Sequence, residues 1–147
     1  SVTQYFMAGI LDHIREMTAF LNPTEASYRR LGEKKAPKYV TWSPGNRSQL
    51  IRIPAAQGEY KRMELRSPDP MVNPHLAYAL VIFAGLDGVR RKLLPPEPMN
   101  VNLYTAEAAL TSSLAALPGS LAEARKIARE SPFIRGVLPE ELWKDRG

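Results

Sequence analysis

The 147-residue sequence predicts an α+β fold, a short antiparallel β-meander backed by helices, in one compact unit. Three observations predict it. Apolar residues at the start recur at helical spacing, the stretch from Lys38 to Arg66 holds short runs broken by Pro and Gly, and a long apolar run opens at Asn73-Pro74.

Val2, Phe6, Gly9, Ile10, Ile14, Met17 and Leu21 recur three and four apart, so the first twenty or so residues form an amphipathic helix that Asn22-Pro23 stops. His13 lies near its apolar side and is read as a core or partner-facing histidine, not as a metal ligand. Lys38 to Ser43 reads as a strand, Pro44-Gly45 as a turn with Gly at positive φ, and Gln49 to Pro54 as the returning strand of a hairpin. A third strand covers about Lys61 to Arg66. There the alternation puts Arg62, Glu64 and Arg66 on one face and Met63 and Leu65 on the other.

Asn73 is an N-cap with Pro74 at the first helical position, opening a helix that runs to about Leu94 before Pro95-Pro96. The run from Leu76 to Leu86 is apolar nearly all round, which predicts the buried centre of the unit, with Gly85 and Gly88 permitting close packing. Ser120 and Glu123 form a capping-box pattern for a helix to about Glu130, and Ser131-Pro132 and Leu138-Pro139 open short terminal turns.

Composition narrows the function. There is no cysteine, which excludes a disulfide framework and a thiolate zinc site, and with only two histidines, His13 and His75, any metal is held mainly by oxygen. No apolar run reaches the roughly 20 residues of a membrane span, and no signal-peptide pattern opens the chain, so the expectation is a cytoplasmic protein. The chain starts at Ser1 inside a helical pattern, as a segment of something longer does. The net charge of +5 is concentrated: from Tyr28 to Arg66 ten Lys and Arg face three acids, giving +7 there and −2 for the rest. A focused positive region implies an anionic partner. No helix carries a basic face and aromatics do not interleave with the arginines, which argues against nucleic acid.

The charged strand carries the chemistry. Arg62, Glu64 and Arg66 are either a salt-bridge ladder on a solvated face or a site in which Glu64 gives an oxygen to Mg²⁺ or Mn²⁺ beside arginines that hold phosphate or carboxylate oxygens. Arg47 follows the turn and Arg52 lies in the adjoining strand, so the hairpin delivers both to the same pocket. Four arginines around one carboxylate favour phosphoryl transfer, where charge stabilisation supplies most of the catalysis.

Asn22-Pro23, Ser27-Tyr28-Arg29-Arg30-Leu31, Ala36-Pro37, Trp42-Ser43, Asn46-Arg47-Ser48, Ile51-Arg52-Ile53-Pro54, Arg62-Met63-Glu64-Leu65-Arg66, Pro68-Asp69-Pro70, Asn73-Pro74, Ala84-Gly85-Leu86-Asp87-Gly88 and Asn102-Leu103-Tyr104 together resemble, in order, the C-terminal catalytic region of bacterial-type glutamine synthetases. The resemblance spans nearly the whole chain. It implies that residues 1–147 are the C-terminal segment of such a catalytic domain, with the N-terminal domain and the first part of the catalytic domain before Ser1. It implies an ATP-dependent carbon–nitrogen ligase that joins ammonia to glutamate through γ-glutamyl phosphate, with Mg²⁺ or Mn²⁺, in a double-ring homo-dodecamer.

Residue by residue, Arg30 and Arg66 resemble the arginines that hold glutamate. Arg47 and Arg52 resemble those on the ATP phosphates, Arg47 also serving the acyl phosphate. Arg62 resembles the contact to the transferred phosphoryl group, and Glu64 one metal ligand. Tyr104 stands at the tyrosine that some members modify with AMP. The loop after Leu31 departs from the pattern: the family's flap glutamate before Ala-Pro is replaced by Lys35, in the shortened loop Gly32-Glu33-Lys34-Lys35, and a lysine repels an ammonium ion. Glu33, two residues earlier in that loop, is the candidate substitute proton acceptor. The alternatives are a γ-glutamyl ligase for an organic amine or polyamine, and a noncatalytic homologue that binds glutamate or nucleotide.

Overall fold

The computed structural model describes residues 1–33, 36–54 and 62–144, and the chain divides into two compact units where composition predicts one. The first unit takes residues 1–28, 68–95 and 118–147, the second 29–67 and 96–117. Composition counts apolar residues without assigning them to a core, so it cannot detect such interleaving.

The first unit is helical. α1 (Val2–Leu21) starts at Ser1, whose side chain and that of Gln4 form a reciprocal capping box, and ends at Asn22 as the sequence predicts. It is the buried helix: Met7, Ile10, Ile14, Met17 and Leu21 are all almost fully enclosed. α2 (Glu25–Arg30) follows, and α3 (Pro74–Arg91) opens on Asn73, whose side chain accepts from the N–H groups of His75 and Leu76. Its C-cap Lys92 adopts φ 50°.

α3 is not the buried centre that its composition predicts. It buries Leu80, Ala84, Gly85 and Gly88, while Tyr78, Ile82, Phe83 and Leu86 are exposed. An all-round apolar helix can be buried on every side only where a partner covers every side, and among the described residues its main partner is α1. The glycines behave as predicted. A Cβ on Gly88 would strike Tyr5 O and the backbone of Gly9, and one on Gly9 would strike Ala84 O, so the two helices meet backbone to backbone.

α5 (Leu121–Glu130) is capped by Ser120 Oγ, which accepts from Glu123 N–H at 3.1 Å. α6 (Pro132–Val137) and α7 (Glu140–Trp143) are the expected short terminal turns. α1 packs on α3, α5 and α6. Among the described residues no helix is long and apolar enough to cross a membrane.

The second unit holds α4 (Ala108–Thr111) and a three-stranded sheet in the order β1 (Trp42–Ser43), β2 (Ile51–Arg52), β3 (Glu64–Leu65). β2 and β3 are antiparallel as expected, pairing Ile51 with Leu65 and Arg52 with Glu64. β1 and β2 are parallel, not the two arms of a hairpin. The reason lies in the connection. After Gly45 (φ 97°) the Asn46 side chain accepts from Ser48 N–H at 2.9 Å, adding a second reversal to the Pro44-Gly45 turn and restoring the original direction. The start of the predicted first strand pairs elsewhere: Val40 N–H donates to Ala115 O and Leu117 N–H to Lys38 O, with a bridge between Tyr39 and Ala116. The predicted third strand is described from Arg62 onward, since Lys61 lies outside the described residues.

Candidate functional site

Antiparallel pairing places Arg52 directly opposite Glu64 on one face of the sheet. Arg52 Nη1 donates to Glu64 Oε2 at 3.0 Å, and Arg52 Nε donates to Gly45 O at 3.1 Å, which locks the guanidinium between the turn and the carboxylate. From the other side Arg62 Nη2 reaches Glu64 Oε1 at 3.4 Å. Each carboxylate oxygen therefore has its own guanidinium. The Glu64 side chain keeps 31% of its surface, against 19% for Arg52 and 60% for Arg62, so the carboxylate is partly open and the Arg62 contact is the looser of the two. Burial alone would raise the carboxyl pKa, but the hydrogen bond and charge of Arg52, followed by Arg62, hold it below the ordinary value. Glu64 is an ionised oxygen donor at neutral pH.

The other predicted residues are placed differently. Arg47 is exposed on the turn between β1 and β2, and its carbonyl accepts from Tyr104 Oη at 3.4 Å. Arg30 Nη2 donates to Ser67 O at 2.7 Å, next to Arg66 in sequence. Arg66 N–H donates to Leu50 O at 2.9 Å, and its Nη1 is buried without a hydrogen-bond partner among the described residues. Thus Arg52, Arg62 and Glu64 are brought together with the turn that carries Arg47, while Arg30 is tied to the backbone beside Arg66. Glu33 is exposed, and its backbone N–H donates to Arg30 O at 3.0 Å while its C=O accepts from Ala36 N–H at 2.9 Å. Lys35 lies outside the described residues.

Sequence reasoning missed what holds the Arg47 turn. Ser48 is almost fully buried: its Oγ contacts Asn46 Oδ1 at 2.8 Å and Val101 O at 3.2 Å and accepts from Leu103 N–H at 2.8 Å. Gln49 Nε2 adds a bond to Val101 O at 2.9 Å. The Asn-x-Ser spacing was the available signal, because an Asn carbonyl commonly caps the backbone two residues on.

A divalent ion fits Glu64 as a single ligand and no more. Among the described residues Glu64 belongs to no group of three or more His, Asp or Glu donors, and the group whose donor atoms lie within 4.8 Å of one another is Asp12, His13 and Asp87 in the first unit. That position is already held by Arg91, whose Nη2 lies 2.7 Å from Asp12 and 2.6 Å from Asp87.

Comparison with known proteins gives consistent results. A family model described as glutamine synthetase, catalytic domain, matches residues 1–145. A glutamine synthetase of Thermotoga maritima is 44% identical over 144 residues, covering 96% of this chain and 33% of the relative. One of Thermus thermophilus is 45% identical over 142 residues, covering 95% and 32%. Among solved structures, a GmaS/ADP complex superposes with a TM-score of 0.82 at 30% identity, covering 94% of this chain and 32% of that one. The chain spans about a third of the length of the curated relatives it matches.

Proposed function

The chain belongs to the glutamine synthetase catalytic-domain family, and from that premise we propose that it is part of an ATP-dependent carbon–nitrogen ligase forming glutamine from glutamate and ammonia through γ-glutamyl phosphate. The observation that carries the proposal is the Arg52–Glu64–Arg62 arrangement: one ionised carboxylate between two guanidiniums, beside a turn that presents a further exposed arginine.

In this reading Arg47 and Arg52 bind ATP phosphates, with Arg47 also serving the acyl phosphate, and Arg62 contacts the phosphoryl group in transfer. Phosphoryl transfer rests on positioning and charge stabilisation, and arginine forks match phosphate oxygens. Glu64 holds one Mg²⁺ or Mn²⁺, which when bound neutralises phosphate charge. The remaining ligands come from outside the described residues. Arg66 and Arg30 receive glutamate; the half-buried Arg66, whose Nη1 has no hydrogen-bond partner among the described residues, suits a carboxylate substrate. Arg52 fixes the orientation of Glu64 through its bond to Gly45 O. The protein acts in the cytoplasm as a double-ring homo-dodecamer, and Tyr104 is a site for AMP modification. The ADP in the similar GmaS structure supports nucleotide use by this fold.

A second reading, ligation of glutamate to an organic amine or polyamine, is raised by one feature: Lys35 stands immediately before Ala36-Pro37, in place of the acid that would take a proton from ammonium. Phosphate release with ammonia, and separately with alkylamines, by the protein containing this chain distinguishes the two. Release with neither, under conditions where ATP binds, would overturn both in favour of a noncatalytic binder. The 147 residues alone are expected to form no glutamine, since they offer Glu64 without the rest of a metal cage.

A further inference from the structure

His13 lies apart from the Glu64 site, and its surroundings are more specific than those of an ordinary core histidine. It is 9% exposed on α1, and its ring stacks on Phe133 of α6 with centroids 3.9 Å apart. Each ring nitrogen meets a different carboxylate at 2.7 Å, Nδ1 at Glu16 Oε2 and Nε2 at Asp87 Oδ2. A neutral imidazole has one N–H, and an ionised carboxylate only accepts, so two such contacts require either an imidazolium or a protonated carboxyl. At Asp87 a protonated carboxyl is disfavoured. Burial would raise its pKa, but the hydrogen bonds from His13, Arg91 and Arg90 hold it well below the usual carboxylate range.

The charge balance leads to the same answer. On α1, Asp12 and Glu16 face the ring; on α3, Asp87 and Arg91 do, with Arg91 Nη2 3.4 Å from His13 Nε2 and Arg90 paired with Asp87 behind it. α6 contributes Phe133 and its N-cap Ser131. Its Arg135 is engaged elsewhere, donating to Arg129 O and lying over Trp143, and on α5 Glu123 pairs with Arg15. Three carboxylates stand against two guanidiniums, and a protonated His13 supplies the missing positive charge.

We propose that His13 is a proton-operated latch, whose imidazolium ties α1 to α3 through Asp87 and to the N-cap of α6 through Glu16 and Ser131. Ser131 Oγ is the link: it donates to Glu16 Oε1 at 2.6 Å and accepts from Ile134 N–H at 3.1 Å, the bond that starts α6. Without the proton, one of the two nitrogens turns a lone pair toward a carboxylate. The junction then loosens beside the cleft of about 610 Å³ lined by Phe83, Leu86, Phe133 and Val137. Burial lowers the ring's proton affinity, but the hydrogen bonds of Glu16 and Asp87 and the charges of Glu16 and Asp12 outweigh it, so the pKa stands above the ordinary 6.5. The latch therefore contributes fully below pH 6.5 and is lost as pH rises through the folded-state value. This inference does not depend on the catalytic reading.

Ring ¹⁵N chemical shifts of the 147-residue chain followed against pH test it. Both nitrogens of His13 should keep imidazolium shifts above pH 6.5, the ordinary midpoint of a histidine. Across His13's own titration the melting temperature should fall, and opening at Ile134 N–H, read by amide exchange corrected for its intrinsic pH dependence, should increase by up to about tenfold per pH unit. Asp87→Asn should lower the His13 midpoint, and His13→Gln should abolish the pH step in melting and exchange. Titration of His13 at or below the ordinary 6.5 would overturn the proposal, as would titration above it with no change at Ile134. Should His13→Gln fail to fold, the unmodified chain and Glu16→Gln still decide.

Discussion

Gly88→Ala should destabilise the chain even though alanine is the better helix former. Gly88 lies inside α3, so the substitution gains about 0.5–1 kcal/mol of helix propensity. Against this, the new methyl meets Tyr5 O and the N and Cα of Gly9, all backbone atoms of α1 that cannot swing aside as a side chain would. Relief requires the helices to part, which loosens the packing of Met7, Ile10, Ile14, Leu80 and Ala84 between them. Overpacking typically costs 1–3 kcal/mol, and a backbone clash belongs at the upper end, so the net loss is about 2 kcal/mol. For a chain of this size that corresponds to a melting temperature lower by roughly 4–8 °C. Gly136→Ala in α6 is the matched control: a Cβ there meets nothing within 4 Å, so the same propensity term acts alone and the chain should gain about 0.5–1 kcal/mol. Both variants can be melted under identical conditions by circular dichroism. A Gly88→Ala chain as stable as Gly136→Ala would refute backbone contact between α1 and α3.

Three further outcomes follow from the second unit. Ser48→Ala leaves Leu103 N–H without its side-chain acceptor and Asn46 Oδ1 with only the backbone N–H of residue 48 as donor, and should cost about 1–3 kcal/mol in denaturant titration, with faster amide exchange at Leu103; an unchanged exchange rate would remove Ser48 from the support of the Arg47 turn. In the protein that contains this chain, Glu64→Ala should raise the divalent-ion concentration needed for phosphoryl transfer, whereas Arg66→Ala should lower kcat/KM for glutamate by about 10–100-fold, as expected for a lost charged hydrogen bond of ~1.5–3 kcal/mol; identical profiles for the two variants would argue against separate roles. Glu33→Gln should slow ammonia-dependent phosphate release if Glu33 replaces the flap acid, and ammonia kinetics untouched by it would dismiss Glu33 as the base.

How far the fold was legible depends on whether a signal was local. The caps were: Asn73-Pro74, Ser120 with Glu123, and Ser131-Pro132 each declare a helix start through atoms within three residues, and each helix begins there. The Gly9–Gly88 contact was half legible, since glycine in a helix announces close approach but not the partner. The hairpin failed because Pro44-Gly45 was read as the whole turn, while the direction of β2 is set by an Asn46 side-chain bond and by Ser48 and Gln49 anchoring to Val101. That anchor lies more than fifty residues on in sequence and has no period to reveal it. The predicted burial of α3 failed for a related reason, because hydrophobicity states what a helix tolerates and not what covers it. At the site, alternation correctly put Glu64 and Arg62 on one face, and pairing with Arg52 followed from register. The bond from His13 to Asp87, in the link that starts at Glu16, joins residues 74 apart and was out of reach.

The two guanidiniums on Glu64 bear on whether a carboxylate so well paired can also hold a metal. The contacts are unequal: Arg52 is mostly enclosed, bonded at 3.0 Å and braced by Gly45 O, whereas Arg62 is 60% exposed at 3.4 Å. An exposed ion pair contributes little, because water screens it and a long side chain must be held in place. Replacing Arg62 at Oε1 by a divalent ion therefore costs little, while Arg52 keeps Oε2 and with it the carboxylate's orientation. In the proposed reaction, Arg62 released in this way would supply positive charge to the transferring phosphoryl group. The weakness of the Glu64–Arg62 contact is what would let Glu64 hold a metal and Arg62 a phosphate in that proposal.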